Sequence, residues 1–447
     1  MEVLKFEILG ASIYLEKGTS SFFLYPPEEE EIVGLPQTRE VLKACGAAKP
    51  SSYTFCLDVS DACNMACDYC FNKNKSFRIM TTSVAIGLLE RMFAAFPDGE
   101  KYFVDMSGKG EPLLALRQVL EIAGWCHGKQ DGIRREVLPQ FVCNGTLLTP
   151  EVAKVLQSRG ILFGVSLDGD ERAHDRHRKD AEGRPTFERV LQNVRGIEFR
   201  DYVGCAATLT KDVFPLLESA EALSEVFRTI SYRPARGPSG FDEGSEKLWE
   251  GEYDRLARKL LEDMGRGDDR LFLCLMNGED YFGRFLCRAF GNLRTANRCD
   301  AGISRFACDL DGRVYGCPAA SEESSFLIDG LSPEKSRAVL QLQIQACEDC
   351  AFKMVCGGEC PLEASRNNGR PNPVLCSFRR HLILLAFYLE EFCYITNQRV
   401  YGELHRFVLE KNARYQEDPQ LRDFLKANPG LSFTRGKGLF DGKCKRI

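Results

Sequence analysis

The sequence predicts an α/β fold built on a parallel sheet, and three observations predict it. From about residue 53 to 265, six β-rich runs follow one another: "YTFCLDVS", "YFVDMSG", "LPQFVCNG", "LFGVSLDG", "VGCAATLT" and "TISYRPAR". Between them lie amphipathic stretches such as "TSVAIGLLERMFAAF" and "EPLLALRQVLEIAGWC", with apolar residues at three- and four-residue steps. Six β-α units in a row argue for a partial barrel or an open sheet with helices outside. In either form chemistry belongs at the carboxyl ends of the strands. The third observation is that "CNMACDYC", "SGKGEP", "CNGT" and "SLDGD" all fall there.

Each part of the chain has its own signal. Residues 1–52 carry the strand-like "LKFEILGASIYLE" and "SSFFLY" before an acidic "PPEEEEIVG", a β-rich segment that is either a hairpin on the core or a substrate-related sheet. In "TPEVAKVLQ", Thr149 stands where a helix is capped and Pro150 at its first position. Residues 266–298 read as a bridge. In 299–378 cysteines and turn residues dominate, as in a small domain whose core is metal rather than hydrocarbon. Residues 379–447 return to helical periodicity as a C-terminal tail.

Composition narrows the class. The 447 residues exceed one ordinary domain. With 44% hydrophobic and 28% charged residues the chain reads as a globular enzyme or scaffold. A net charge of −5 gives no general attraction to nucleic acid or to an anionic membrane. "MEVLKFEILGASIYLEKG" has charges inside its apolar part, unlike a signal peptide, and "LILLAFYLEEF" is too short to span a bilayer. The expectation is a cytoplasmic protein. Twenty cysteines are then the anomaly, because a reducing compartment does not favour a disulfide framework. Cys45, Cys56, Cys126, Cys143, Cys205, Cys274, Cys287, Cys393 and Cys444 stand alone and read as small buried hydrophobes. The clustered ones read as metal sites.

"CNMACDYC" puts Cys63, Cys67 and Cys70 on a loop leaving the first strand of the β-α series. Three thiolates suit a zinc site completed from elsewhere, or an iron–sulfur cluster that keeps one iron open. With Tyr69 before the third cysteine, the loop matches the CX3CXΦC signature of the radical S-adenosylmethionine (SAM) enzymes, and the chain resembles that family. The resemblance implies a partial (β/α)6 TIM-type barrel over 53–265. It also implies that Cys63, Cys67 and Cys70 bind three irons of a 4Fe-4S cluster whose fourth iron takes the amino and carboxylate groups of SAM. "SGKGEPLL" is similar to the family's Gly-Gly-Glu-Pro stretch, which assigns the methionyl ammonium to Gly110 and Glu111, although Lys109 interrupts the glycines. "CNGTLLT" looks like the family's Thr-Asn-Gly-Thr, with Cys143 in place of the first threonine. "VSLDGDERAHDRHRKDAEGRPTFERVLQNVRGI" resembles the corresponding stretch of peptide-modifying members and assigns the SAM carboxylate or ribose to Ser166 and Arg178. Asp168 is read equally as shaping the turn before Gly169.

The second cluster runs "CDAGISRFACDLDGRVYGC", then "CEDCAFKMVCGGEC", then "PVLCSF". Seven or eight thiolates exceed one tetrahedral zinc, and two four-cysteine sites fit the count. The spacing CX(12)GX4C, CX2CX5CX3C, C resembles a complete SPASM domain, which implies two auxiliary 4Fe-4S clusters and three in all. Cys347, Cys350, Cys356 and Cys376 would hold the outer one and Cys299, Cys317 and Cys360 the inner one. Cys308 is taken as the inner cluster's fourth ligand, against the alternative that it points into the core.

The resemblance implies an oxidoreductase acting on a peptide or protein, supplied with electrons by a flavodoxin or ferredoxin. The leading expectation is a maturase of a ribosomally made precursor peptide that forms a thioether or carbon–carbon crosslink. The alternative is an anaerobic sulfatase-maturating enzyme, which oxidises Cys or Ser to formylglycine. That family places an aspartate directly after the cysteine ending the first SPASM segment, whereas Pro318 follows Cys317 here. A zinc-stabilised binding scaffold is the alternative of another class.

Overall fold

The computed structural model describes residues 2–17, 20–26, 50–72, 75–200, 203–291, 293–295, 297–321, 323–332, 336, 338, 339 and 347–411. Cys45, Cys444, the acidic "EEEE" run and most of the C-terminal tail lie outside them. The chain opens with β1 (Val3–Ile8), β2 (Ala11–Glu16) and β3 (Phe22–Phe23). Six β-α units follow: β4 (Ser52–Leu57) with α1 (Thr82–Ala95), β5 (Lys101–Asp105) with α2 (Leu116–Ile133), and β6 (Glu136–Cys143) with α3 (Pro150–Ser158). Next come β7 (Leu162–Ser166) with α4 (Glu171–His177) and α5 (Phe187–Arg195), β8 (Gly204–Leu209) with α6 (Leu216–Ser224), and β9 (Thr229–Pro234) with α7 (Glu243–Arg266). After α8 (Arg270–Leu275) and α9 (Gly283–Phe290) the chain forms β10 (Arg305–Cys308) and β11 (Val314–Tyr315). It ends in α10 (Lys353–Cys356), α11 (Pro361–Arg366), α12 (Pro373–Thr396) and α13 (Gln398–Lys411).

Two compact units result. One comprises Pro50–Ser245 and Asp300–Gln341, the other Met1–Lys49, Glu246–Cys299 and Leu342–Ile447. The first is the expected partial barrel. Its strands β4 to β9 pair in parallel and in sequence order. All six runs read as strands are strands, because their β-branched and aromatic residues suit a sheet covered on both faces. The helices begin where their caps dictate. Thr81 accepts from Val84 N, Thr149 from Val152 N and Asp170 from Ala173 N, with Pro150 at the first position of α3. One pairing was not visible in the sequence: β10, from the first cysteine-rich segment, lies parallel on the outer edge of β4 and carries β11 as a hairpin.

In the second unit, β1 and β2 form a hairpin whose two-residue turn, Leu9 and Gly10, has φ of 50° and 85°. Positive φ at both positions matches the right-handed strand twist. The sheet packs on α12 through Phe22, stacked 3.9 Å from Phe387. Among the buried apolar side chains of α12, Arg379 is 2% exposed and makes two 2.7 Å hydrogen bonds to Glu359, itself fully buried. Glu359 also accepts from the Cys360 and Asn372 backbone N–H groups. Burial opposes its charge, but the bonds from Arg379 outweigh that and hold its carboxyl below the usual range. Among the described residues no helix is long and apolar enough to cross a membrane.

Removing one partner of such a pair strands the other as a buried charge. Glu359→Ala is therefore expected to destabilise the protein by about 3–5 kcal/mol, read as a lower thermal midpoint of the metal-free chain.

Candidate functional site: a cysteine loop at the barrel mouth

Residues 58–72 leave β4 at its carboxyl end, where backbone groups have no further ladder to join. A second strip of chain meets the need. Ala66 N donates to Lys179 O at 2.8 Å, Asp68 N to His177 O at 3.2 Å, and Ala181 N to Asn64 O at 3.1 Å; Met65 and Asp180 form an antiparallel bridge. The cysteine loop is thus stitched along one side to residues 177–181, just after α4.

Side chains from other strand ends complete the hold. From the end of β6, Asn144 Nδ2 donates to Asn64 Oδ1 at 2.8 Å and lies 3.9 Å from Cys63 Sγ, while Asn64 Nδ2 donates to Thr146 Oγ1 at 2.8 Å. Asn144 is fixed in turn by Glu111, whose carboxylate accepts from Asn144 N at 2.7 Å and from Leu113 N at 3.0 Å. Burial raises the Glu111 carboxyl to about 7, against the pull of those two N–H groups. Gly110 is required by contact. A Cβ there would sit 2.3 Å from Ala62 O and 2.5 Å from Ser60 O, and the neighbouring Glu111 N donates to Ala62 O. The "GKGE" turn and "CNGT" therefore position the cysteine loop.

Arg178 lies beneath the loop. Its Nε donates to Asp168 Oδ2 at 2.9 Å, and its guanidinium carbon is 5.3 Å from the centroid of the Tyr69 ring. Asp168, 2% exposed, also accepts from Thr208 N and from the Tyr69 hydroxyl. Burial works against the Arg178 charge, but Asp168, Tyr69 and Cys67 outweigh it and keep the guanidinium protonated. Asp168 thus ties an ion pair, a tyrosine and the β8 end together, more than a turn residue would. Ser166 ends β7, in register with Ala206 of β8.

Two histidines close the arrangement. His174 is fully buried: its Nδ1 accepts from Asp168 N, its Nε2 is 3.0 Å from Thr186 Oγ1, and burial lowers it to about 4. His177, which sequence reasoning did not single out, spans three loops. Its Nδ1 is 2.8 Å from Asp68 of the cysteine loop, and its Nε2 is 3.2 Å from both Thr210 and Asp212 beyond β8. Its one sequence signal is a second histidine in "HDRHR", a common coincidence.

The three loop cysteines are half-buried, and burial pushes the Cys63 thiol up and that of Cys67 to about 11. A metal must displace those protons. In the second unit, Cys347, Cys350, Cys356 and Cys376 line one hollow with Phe352, Lys353, Arg379 and Arg380. Cys356 ends α10, and Cys376 sits in the first turn of α12, which Asn372 caps. Cys299, Cys317 and Cys360 are half-buried. Cys308 is fully buried on β10 with Sγ 3.6 Å from Met92 Sδ of α1, the place of a core cysteine, and burial raises it to about 12. Cys56, Cys126, Cys143, Cys205, Cys274, Cys287 and Cys393 are buried too. Among the described residues no three His, Cys, Asp or Glu side chains converge as the ligands of one metal ion. A four-iron cluster instead gives each thiolate its own iron.

The family description "Radical SAM superfamily" matches residues 57–198, from the last residue of β4 to just beyond α5. The serine-type anaerobic sulfatase-maturating enzyme of Klebsiella aerogenes is 23% identical over 332 residues, 69% of this chain and 80% of that one. The cysteine-type enzyme of Clostridium perfringens (strain 13 / Type A) is 33% identical over 138 residues, 29% of this chain and 36% of that one. The solved structure of anSMEcpe with bound AdoMet and Cp18Cys peptide shares the fold, with TM-score 0.59 at 20% identity, covering 78% of this chain and all of that one.

Two outcomes are expected. Gly110→Ala forces the cysteine loop outward; it should cost about 1–3 kcal/mol, read as a lower thermal midpoint of the metal-free chain. His174 favours folding while neutral, so its contribution is full above the unfolded value near 6.5 and is lost as pH falls towards 4. Going from about pH 7 to about pH 5, the parent should lose about 2 kcal/mol more than His174→Gln, measured by denaturant unfolding at both pH values.

Proposed function

We propose that this protein is a radical SAM enzyme that carries its chemistry at the loop after β4 and oxidises a residue of a peptide or protein substrate. Its family uses SAM and a 4Fe-4S cluster, and the donor set fits that pair: three thiols on one stitched loop, with a buried guanidinium beside Cys67. Cys63, Cys67 and Cys70 would hold the cluster. When bound, cluster and SAM supply an electron and a carbon radical able to take hydrogen from an unactivated carbon.

The chain's own residues orient and enclose. Arg178 Nε is taken by Asp168, so its part toward the SAM carboxylate falls to the Nη atoms, and Ser166 at the end of β7 would share it. Glu111 and Gly110 act by holding Asn144 and the loop backbone in place, so the turn they build, rather than the Glu111 carboxylate, would receive the methionyl group. Cys347, Cys350, Cys356 and Cys376 would hold an outer auxiliary cluster and Cys299, Cys317 and Cys360 an inner one. Cys308 is left out of that set because of its place in the core.

The observation that carries the substrate class is similarity across 69% of the chain to an enzyme named for maturing sulfatases. It favours the reading that the sequence ranked second: a Cys or Ser side chain loses a hydrogen atom, then one electron and one proton, leaving formylglycine or its precursor. The electron would pass to an auxiliary cluster, and a flavodoxin or ferredoxin would supply the first one. Pro318 supports the other reading, crosslinking of a precursor peptide, because it stands where the sulfatase family places its proton-accepting aspartate. The match of residues 57–198 to the radical SAM superfamily supports an enzyme over the zinc scaffold.

The test is anaerobic reconstitution with SAM and reductant, offering in parallel a sulfatase-derived Cys or Ser peptide and a Cys-containing peptide encoded beside the gene. A carbonyl captured by a hydrazide on the first peptide is the expected product, absent when Cys63, Cys67 and Cys70 are all Ala. Loss of two hydrogens from the second, with fragmentation blocked between linked residues, would transfer the assignment to crosslinking. Deoxyadenosine release with both peptides unchanged would overturn both substrates.

A further inference from the structure

Besides the bonds that hold the cysteine loop, Asn144 makes one contact that a holding role does not require. Its Nδ2 lies 3.9 Å from Cys63 Sγ. The direction of that carboxamide is set by its partners. Oδ1 accepts from Thr146 N at 2.9 Å and from Thr146 Oγ1 at 2.7 Å, which fixes the oxygen end on Thr146. Nδ2 donates one hydrogen to Asn64 Oδ1 at 2.8 Å, and Asn64 is itself oriented by the bond from its Nδ2 to Thr146 Oγ1. A reversed Asn144 carboxamide would meet the Thr146 N–H with an NH2 group and Asn64 Oδ1 with an oxygen, so one orientation alone keeps every bond. The second Nδ2 hydrogen is then available to Cys63. Asn144 is 7% exposed and its backbone N–H is tied to Glu111, which limits competition from water for that hydrogen.

A neutral thiol is a weak acceptor, whereas a thiolate on iron carries charge and attracts an N–H more strongly. An electron added to a cluster increases that negative charge, so a hydrogen bond to a ligand sulfur stabilises the reduced form more than the oxidised one. The Met65 N–H faces the same sulfur from within the loop, while the fields of Lys75 and Glu111 act on it in opposite senses. Asn144 differs from Met65 in coming from outside the loop, held by the end of β6. We propose that Asn144 donates an N–H···S hydrogen bond to Cys63 in the cluster-bound protein and thereby raises the cluster's reduction potential, so that it takes one electron from a flavodoxin or ferredoxin more readily than without that bond. The inference rests on the reading that Cys63, Cys67 and Cys70 hold a 4Fe-4S cluster. Asn144 is a positioning residue that acts on the electron equilibrium through a ligand sulfur and touches no substrate.

The experiment is an EPR-monitored redox titration of the reconstituted full chain with dithionite as reductant. The signal followed is the one that SAM alters and that is absent when Cys63, Cys67 and Cys70 are all Ala. Asn144→Ala is expected to move its reduction equilibrium about tenfold towards the oxidised form, about 59 mV lower for one electron. Thr146→Ala loosens the same support but leaves Asn144 Nδ2 bonded to Asn64, and its midpoint should stay near the parent's. Electron-nuclear double resonance of the reduced cluster should show a proton coupling that D2O removes from the parent and that Asn144→Ala lacks. An unchanged midpoint in Asn144→Ala, or an equal fall in Thr146→Ala, would overturn the tuning role. If Asn144→Ala fails to bind the cluster, Asn144→Asp decides, because its carboxylate keeps both bonds from Thr146 and presents an oxygen to the sulfur. A fall of tenfold or more there supports the role, and the parent's midpoint overturns it. Should no signal respond to SAM, the cluster reading itself fails, and the tuning role with it.

Discussion

The shape of the cysteine loop depends on hydrogen bonds that reach it from elsewhere in the barrel. Here the governing constraint is the seam between residues 64–68 and 177–181. Backbone groups at the end of a strand are obliged to find partners, and this seam supplies them with a strip of chain that sits after α4. Once the strip is needed, its own anchor is needed too. Asp168 provides it by taking the Arg178 guanidinium, the Thr208 N–H and the Tyr69 hydroxyl at once, while His174 receives the Asp168 N–H. The strand ends of β6, β7 and β8 are thereby drawn to the same point. A barrel offers many strand ends at one face; the polar bonds select which of them act together.

Two levels of the structure differ in how far local sequence reveals them. Strand alternation, apolar periodicity and caps such as Thr149–Pro150 depend on residues within one turn or one ladder, and these were readable. The short cysteine spacings were readable too, and four of the residues they single out, Cys347, Cys350, Cys356 and Cys376, line one hollow in the fold. What escaped was whatever depends on side chains meeting across the barrel mouth. Asn64 with Asn144, and Asp68 with His177, are separated by 80 and 109 residues, and nothing in either neighbourhood marks the partner. The hydrogen bond from Asn144 N to the Glu111 carboxylate belongs to this class as well. The contact of Cys308 on β10 with Met92 of α1 is of the same long-range kind.

The parallel pairing of β10 on β4 has a consequence for how the chain is made. Thr54 and Arg305 are ladder partners, so β4 leaves the ribosome about 250 residues before the strand that covers its edge. At about 5–20 residues per second, that edge waits on the order of ten seconds or more, with its N–H and C=O groups open to any passing strand. The same open edge would be permanent in a fragment ending before residue 300. The barrel, although its six strands are contiguous in sequence, is completed only by translation of the segment that contains Cys308 and Cys317, and the nascent chain until then is a natural client for a chaperone that shields strand edges.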